Sequence, residues 1–341
     1  MALAEYCRVG DLAALRAYCD RAGVTAAQVR ASHALRVACV RGHLEVARWL
    51  QQAFQLTAAD ARASDNYVLR WVCGGGHLEV ARWLQQTFQL TATDARANNN
   101  EALCWASFSG HLEVARWLQQ TFLLEAVDAR AVSNYALRNA CRNGHLGVAR
   151  WLHQTFQLGA EDARTNNNEA LQLSCGKGHF DVARWLHQTF QLTTADARAR
   201  NNYALRWACI NGHLEVARWL QQTFQFTTAD AQVVIADILY GVCAHGNLGV
   251  VRWLQRTWGI PPDVRINANA GAPQATACVA YLRGLRTLRW SPRTHADFSP
   301  AARRLVLLLL LVIQRLARAP GNLPNLPPEL WSHLLSYLSA C

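Results

Sequence analysis

The chain has almost no lysine. Of its 34 lysines and arginines only Lys177 is lysine, in a sequence of 341 residues with a net charge of +11. Codon bias accounts for that as simply as any function does. A long apolar run is also missing: the longest, Leu305 to Ile313 ("LVLLLLLVI"), is bracketed by Arg303, Arg304 and Arg315. A membrane span takes about 20 apolar residues, so this run is read as a buried helix and no membrane role is expected. No leader peptide is read in "MALAEYCRVGDLAAL", which carries acids early and has no apolar stretch. None of the 11 cysteines forms a C-x-x-C pair, which excludes zinc-ribbon and thioredoxin-like sites. G-x-S-x-G, a Walker loop, G-x-G-x-x-G and H-E-x-x-H are all absent. No enzyme, cofactor or metal is therefore expected. The basic charge could attract nucleic acid, but no zinc-finger, helix-turn-helix or RNA-binding signature accompanies it.

What the chain does have is repetition. "NGHLEVARWLQQTFQ", Asn211 to Gln225, recurs around Gly42, Gly76, Gly110, Gly144 and Gly178, always 34 residues apart. A catalytic motif is needed once, whereas a short fixed period marks a stacked building block. Within one unit, Asn201 and Asn202 are expected to cap a first helix through their side-chain oxygens. Leu205, Ala208 and Cys209 then share one buried face at i, i+3 and i+4. Gly212 turns the chain into a second helix that buries Val216, Leu220 and Phe224 and leaves Arg218 and Gln221 on its wet side. The linker carries Thr57/Asp60, Thr91/Asp94, Thr193/Asp196 and Thr227/Asp230, a Thr-x-x-Asp capping box that opens a short helical turn. Cys39, Cys73, Cys141, Cys175, Cys209 and Cys243 occupy one repeat position, where a thiol acts as small apolar filler. A reducing, intracellular setting is expected, cytoplasmic or nuclear.

"ALRWACINGHLEVARWLQQ" resembles the ankyrin repeat, whose family pattern is T-P-L-H-x-A-A-x-x-G-H-x-x-V-V-x-x-L-L. Ala204 and Leu205 stand where the family has Pro and Leu, Ala208 and Cys209 stand for the two alanines, and Gly212-His213 matches outright. The resemblance implies an all-α, ankyrin-type solenoid of stacked helix-turn-helix repeats. The tandem array is similar in style to those of giant DNA viruses. Tyr203 and Arg206 depart from the Thr and His that brace the family's turn, and a capped helical linker is expected in place of a β-hairpin finger. The expected organisation is a capping repeat over 1–30, an array over 31–257, a degenerate terminal repeat or linker over 258–298, and a C-terminal helical segment over 299–341.

The copies differ chiefly in the two residues before each turn glycine: Val40-Arg41, Gly74-Gly75, Phe108-Ser109, Arg142-Asn143, Gly176-Lys177 and Ile210-Asn211. In the ankyrin family these positions end the inner helix on the concave surface. The resemblance therefore implies that they bind a protein partner, with the chain acting as a monomeric interaction scaffold. Drift at exposed positions would produce the same variation. A second pattern alternates. Tyr67, Glu101, Tyr135, Glu169 and Tyr203 share one position, and Arg70, Cys104, Arg138, Gln172 and Arg206 follow three residues later. Arg70, Glu101, Arg138, Glu169 and Arg206 are expected to form a ladder of alternating charge across helices about 8–10 Å apart. The recurrent His43, His77, His111, His145, His179 and His213 lie one repeat apart and cannot converge on one metal ion. The resemblance assigns them to the turn.

After the array, "SPAARRLVLLLLLVIQRLA" reads as a helix capped by Ser299 and stopped by Pro320-Gly321. Leu326-Pro327-Pro328-Glu329-Leu330, followed by Leu334, Leu335 and Leu338, resembles the opening helix of an F-box. The match covers only a short part of one, as in the shortened C-terminal F-boxes of poxvirus ankyrin proteins. The segment also resembles a SOCS box, whose first-helix cysteine is absent here. Three readings stay open: an end-cap of the solenoid, F-box-like docking and SOCS-like docking. Either docking mode implies a substrate adaptor of a cullin–RING ubiquitin ligase.

Overall fold

The computed structural model describes residues 2–259. The C-terminal segment with its F-box-like residues Leu326, Pro327, Leu330, Leu334, Leu335 and Leu338 lies outside the described residues, as does nearly all of 258–298.

Each repeat begins where the sequence places its capping box. The Thr91 amide donates to Asp94 Oδ2 at 2.7 Å and the Thr91 hydroxyl at 3.1 Å, opening the short helix Ala92–Ala95. The box survives without its threonine: the Glu125 and Gly159 amides reach Asp128 and Asp162 at 2.8 Å. The essential partners are thus the aspartate and a backbone N–H, which satisfy each other at the first turn. Among the described residues there is no strand, so the linker is a helical turn and not a β-hairpin finger.

A turn of left-handed backbone follows. Asn98, Asn99 and Asn100 have φ of 53°, 57° and 62°. The same triplet recurs at Ser64–Asn66, Val132–Asn134, Asn166–Asn168 and Arg200–Asn202. Asparagine tolerates this region better than other non-glycine residues. Asn201 and Asn202 are therefore not N-caps. At φ of 54° and 56° they lack the extended backbone that aims a capping oxygen at the next amides. The third residue of the triplet instead turns its amide to the following repeat, with Asn134 Nδ2 3.1 Å from Asp162 Oδ1. The Oδ1 atoms of Asn66, Asn100, Asn134 and Asn168 are buried and accept no hydrogen bond.

Beyond the left-handed turn comes the first helix, which ends at the glycine. In the helical run Ala97–Ser109, Leu103 and Ala106 are fully buried. Gly110, at φ 82°, reverses the chain into the second helix Leu112–Phe122, whose Val114, Leu118 and Phe122 complete the core. The runs Ala34–Val40, Ala58–Gly74, Ala97–Ser109, Ala131–Arg142 and Ala160–Gly176 each pack on the next, as do the second helices Leu78–Phe88, Leu112–Phe122 and Leu146–Phe156. One helix pair leaves an apolar face open, and stacking closes it. The fold is the all-α ankyrin-type solenoid.

The described residues fall into two compact units, one ending at Ala197 and the other beginning at Arg198. In the second, Leu205, Ala208, Cys209, Val216, Leu220 and Phe224 are buried and Arg218 is exposed, in agreement with the periodicity, whereas Gln221 is half-buried.

Candidate partner-binding face

Most charged side chains that recur with the period hold repeats together. Each linker aspartate faces an arginine of the preceding repeat. Arg62 grips Asp94 through Nε–Oδ1 at 2.8 Å and Nη2–Oδ2 at 3.0 Å, and Arg96 grips Asp128 at 2.8 and 2.9 Å. Arg130 and Asp162, Arg164 and Asp196, and, in the second unit, Arg198 and Asp230 repeat the pairing. Arg62 also donates to the Gln89 carbonyl at 3.2 Å, just past the end of a second helix. One side chain thus ties its own linker to both ends of the next one. Burial pushes the Asp94 carboxyl up. The Arg62 guanidinium and the Thr91 amide and hydroxyl outweigh burial and hold it below the usual carboxylate range.

The histidines form a second staple. The His43 ring is 3.0 Å from the Arg8 carbonyl and lies over the turn glycine of the preceding repeat. A Cβ at Gly10 would sit 2.4 Å from His43 Nδ1, and one at Gly110 would sit 2.5 Å from His145 Nδ1. Glycine and histidine recur together because the ring occupies the space that a side chain would need. Where Asn247 replaces histidine, its Nδ2 reaches the Ile210 carbonyl at 3.0 Å in the same role. Burial lowers the His77 pKa, against the hydrogen bond to the Val40 carbonyl. Among the described residues no three His, Cys, Asp or Glu side chains gather as a metal site. The repeated thiols are free and buried, and burial raises their pKa, which leaves them unreactive.

The expected charge ladder is instead a set of closed pairs. Arg70 binds Glu101 and Arg138 binds Glu169, but Glu101 and Arg138 make no ion pair. The arginines are not exposed either, at 8% and 7% of their full surface. Each turns back onto carbonyls of its own left-handed turn: Arg70 to Ser64 at 3.0 Å, and Arg138 to Ser133 at 2.8 Å and Val132 at 3.0 Å. These bonds point the guanidinium at one neighbour only, which breaks the series. On the second helices, Arg48, Arg82, Arg116 and Arg184 lie 3.2–3.8 Å from the acid three residues earlier, so much of that arginine stripe is neutralised in place.

With these residues occupied, one continuous feature remains on the first helices. Tyr67 and Trp71 have ring centroids 5.6 Å apart, Trp71 stacks on Trp105 at 5.3 Å and 23°, and Trp105 meets Phe108 edge-on at 5.4 Å. The Arg36 guanidinium lies 4.8 Å from the centre of the Tyr67 ring. Trp71 is 37% exposed. The next two repeats carry Asn139 and Leu173 at the tryptophan position, so the aromatic strip is local.

The variable pairs divide between surface and interior. Arg41, Gly75, Arg142, Lys177 and Asn211 are exposed, and Val40, Gly74, Phe108, Ser109 and Asn143 are partly covered. Gly176 and Ile210 are buried. Asn143 donates to the Phe108 carbonyl at 3.1 Å, joining neighbouring repeats. Phe108 is the one variable residue inside the strip. The variable pairs do not include Trp71 and Trp105, although the tryptophan position also varies between copies and lies one helical turn before the pair, on the same face.

Stacked helix pairs, stapled from within and offering an exposed lateral face, define a repeat protein of the interaction class. Residues 35–128 and 137–231 match the model for ankyrin repeats (3 copies), and the chain belongs to the ankyrin-repeat family. Ankyrin repeats are generic protein-interaction modules, and the family is typically non-enzymatic. No curated protein matches the chain. No helix among the described residues is long and apolar enough to cross a membrane.

Proposed function

We propose that the protein is a non-enzymatic scaffold that binds a protein partner on a concave face formed by the first helices, centred on Tyr67, Trp71, Trp105 and Phe108. The observation that carries this reading is the strip itself. Repeats with Asn139 and Leu173 at the tryptophan position stack through the same Arg–Asp pairs, so stacking does not require aromatics there. Interface hot spots are enriched in Trp, Tyr and Arg, and the strip joins Tyr67 and the two tryptophans to Arg36. Expected site residues Arg41, Gly75, Arg142 and Lys177 are exposed at the C-terminal ends of first helices, where they would border the bound partner. A photo-crosslinking residue at Arg142 or Lys177 should capture a partner that one at Arg82 or Arg116, on the second helices, does not. Equal capture from both faces, or capture from the second helices alone, contradicts the reading.

A second reading concerns the C-terminal segment and is compatible with the first. The Leu326-Pro327-Pro328-Glu329-Leu330 motif supports an adaptor that presents the partner to a cullin–RING ligase. Cullin and its adaptor should then co-purify with the full chain and not with one ending at Arg318. Identical partner sets from both forms favour an end-cap.

A further inference from the structure

We propose that the aromatic strip recognises an extended acidic segment in which one aromatic or large aliphatic side chain lies between flanking carboxylates. This rests on the partner-binding reading of the first-helix face and adds the chemistry of what binds there. The first helices of the unit Met1–Ala197 carry few acids, and Glu101 and Glu169 are already engaged by Arg70 and Arg138. Asp65, back in the left-handed turn, is the carboxylate left over. Against it stand Arg41, Arg142 and Lys177, all exposed and without an ion pair among the described residues. Arg36, laid over Tyr67, is a fourth cation beside the strip.

The order of these groups along the stack matters more than their number. Arg36 and Arg41 belong to the first helix Ala34–Val40 and its C-cap, and Trp71 to the next. Trp105 and Phe108 come from the third, and Arg142 from the fourth. Cations therefore stand on both sides of an aromatic centre. Three steps between helices at about 8–10 Å each make about 27 Å, which about eight residues of extended chain cover. Gly74 adds an opening. It has no side chain to cover Trp105, whose Cβ would lie 3.1 Å from a Cβ at that position. An occupant with carboxylates at its ends and an apolar residue in the middle meets each group with its complement. A nucleic-acid strand would also stack on the tryptophans, but only three exposed, unpaired cations line this face, and on the second helices Arg48, Arg82, Arg116 and Arg184 are paired with acids.

Fluorescence anisotropy on the full chain tests the proposal with labelled peptides of about twelve residues. The first has a central Trp-Leu flanked by Asp and Glu, the second has lysine for every acid, and the third keeps the acids around a central glycine. An oligothymidine of similar length is the fourth probe. The first peptide should bind at least about tenfold more tightly than the other three. Arg41→Glu with Arg142→Glu should weaken it about tenfold or more, as should Trp71→Ala with Trp105→Ala, whereas Arg82→Glu with Arg116→Glu should not. The arginines are surface residues, so their exchange leaves the fold intact even if the tryptophan variant is destabilised. Equal binding of the lysine peptide, tighter binding of the oligothymidine, or indifference to the Arg41/Arg142 exchange overturns the proposal. If no peptide binds while Arg142 still crosslinks a partner, the acidic chemistry is wrong and the face reading stands. If Arg142 crosslinks nothing either, both fall.

Discussion

Removing the Asp128 carboxylate tests how the repeats are fastened. Asp128 has 4% of its side-chain surface exposed and accepts the Glu125 amide at 2.8 Å and two Arg96 bonds at 2.8 and 2.9 Å. In Asp128→Ala the linker helix loses its cap, which costs about 1 kcal/mol. The charge-assisted bonds would contribute about 1.5–3 kcal/mol in a buried setting. Arg96 is 38% exposed, however, so its freed guanidinium is partly rehydrated and the lower end applies. The expected loss is about 2–3 kcal/mol, or a fall in Tm of about 4–12 °C for a cooperative unit of about 150–250 residues. Glu113→Ala is the matched control. Its pair with Arg116 spans 3.5 Å and the glutamate is 72% exposed, so removing it should cost less than about 1 kcal/mol. Thermal melts followed by circular dichroism decide the matter. If the two variants melt at the same temperature, the Arg–Asp contacts are surface decoration and the account of stacking fails.

Three further outcomes follow from the same contacts. Glu101→Gln with Glu169→Gln leaves two buried guanidinium groups short of a counter-charge, so urea unfolding should show a loss of about 1–3 kcal/mol for each pair; an unchanged midpoint would show the pairs to be idle. The lowered carboxyls of Asp60, Asp94, Asp128, Asp162, Asp196 and Asp230 bind protons less readily folded than unfolded. Their stabilisation is therefore complete above the unfolded value of about 3.9 and is lost as the pH falls through the folded values, and Asp94→Asn should make stability less sensitive to acid in that range. Gly110→Ala places a Cβ 2.5 Å from the His145 ring on a backbone of φ 82° and should cost about 2 kcal/mol or more. Gly147→Ala, in a helix with nothing within 4 Å of the new carbon, should be neutral or stabilising by about 1 kcal/mol. Equal effects of the two glycine changes would contradict the His–Gly staple.

Local chemistry was readable from sequence wherever one repeat contains all the partners. Thr91 and Asp94 are three residues apart, and the buried faces follow from i, i+3, i+4 spacing. Gly110 and His111 are adjacent, and their recurrence marked the turn, although each ring proves to serve the glycine of the preceding unit. Contacts between copies were harder to read because a periodic sequence offers every recurrent charge several neighbours at once. Arg62–Asp94 and Arg70–Glu101 are equally plausible from spacing alone, and only the second was expected. The left-handed triplets were hidden for a different reason: Asn-Asn before a helix reads as a cap, and Val132 at φ 50° occupies a position that no propensity argument assigns to valine. At the candidate site, Phe108 stands out in the sequence as a residue beside a turn glycine, whereas Trp71 and Trp105 do not, because the strip exists only when two helices lie side by side.

The proposed binding of a partner by the first-helix face requires its aromatic strip. The most direct test is quantitative affinity capture from a eukaryotic lysate with the full chain, its Trp71→Ala/Trp105→Ala variant and its Arg82→Ala/Arg116→Ala variant, each confirmed as folded. Specific partners that are lost with the tryptophans and kept with the arginines are the predicted result. Partners kept by the tryptophan variant and lost by the arginine variant would place binding on the second helices and contradict the account.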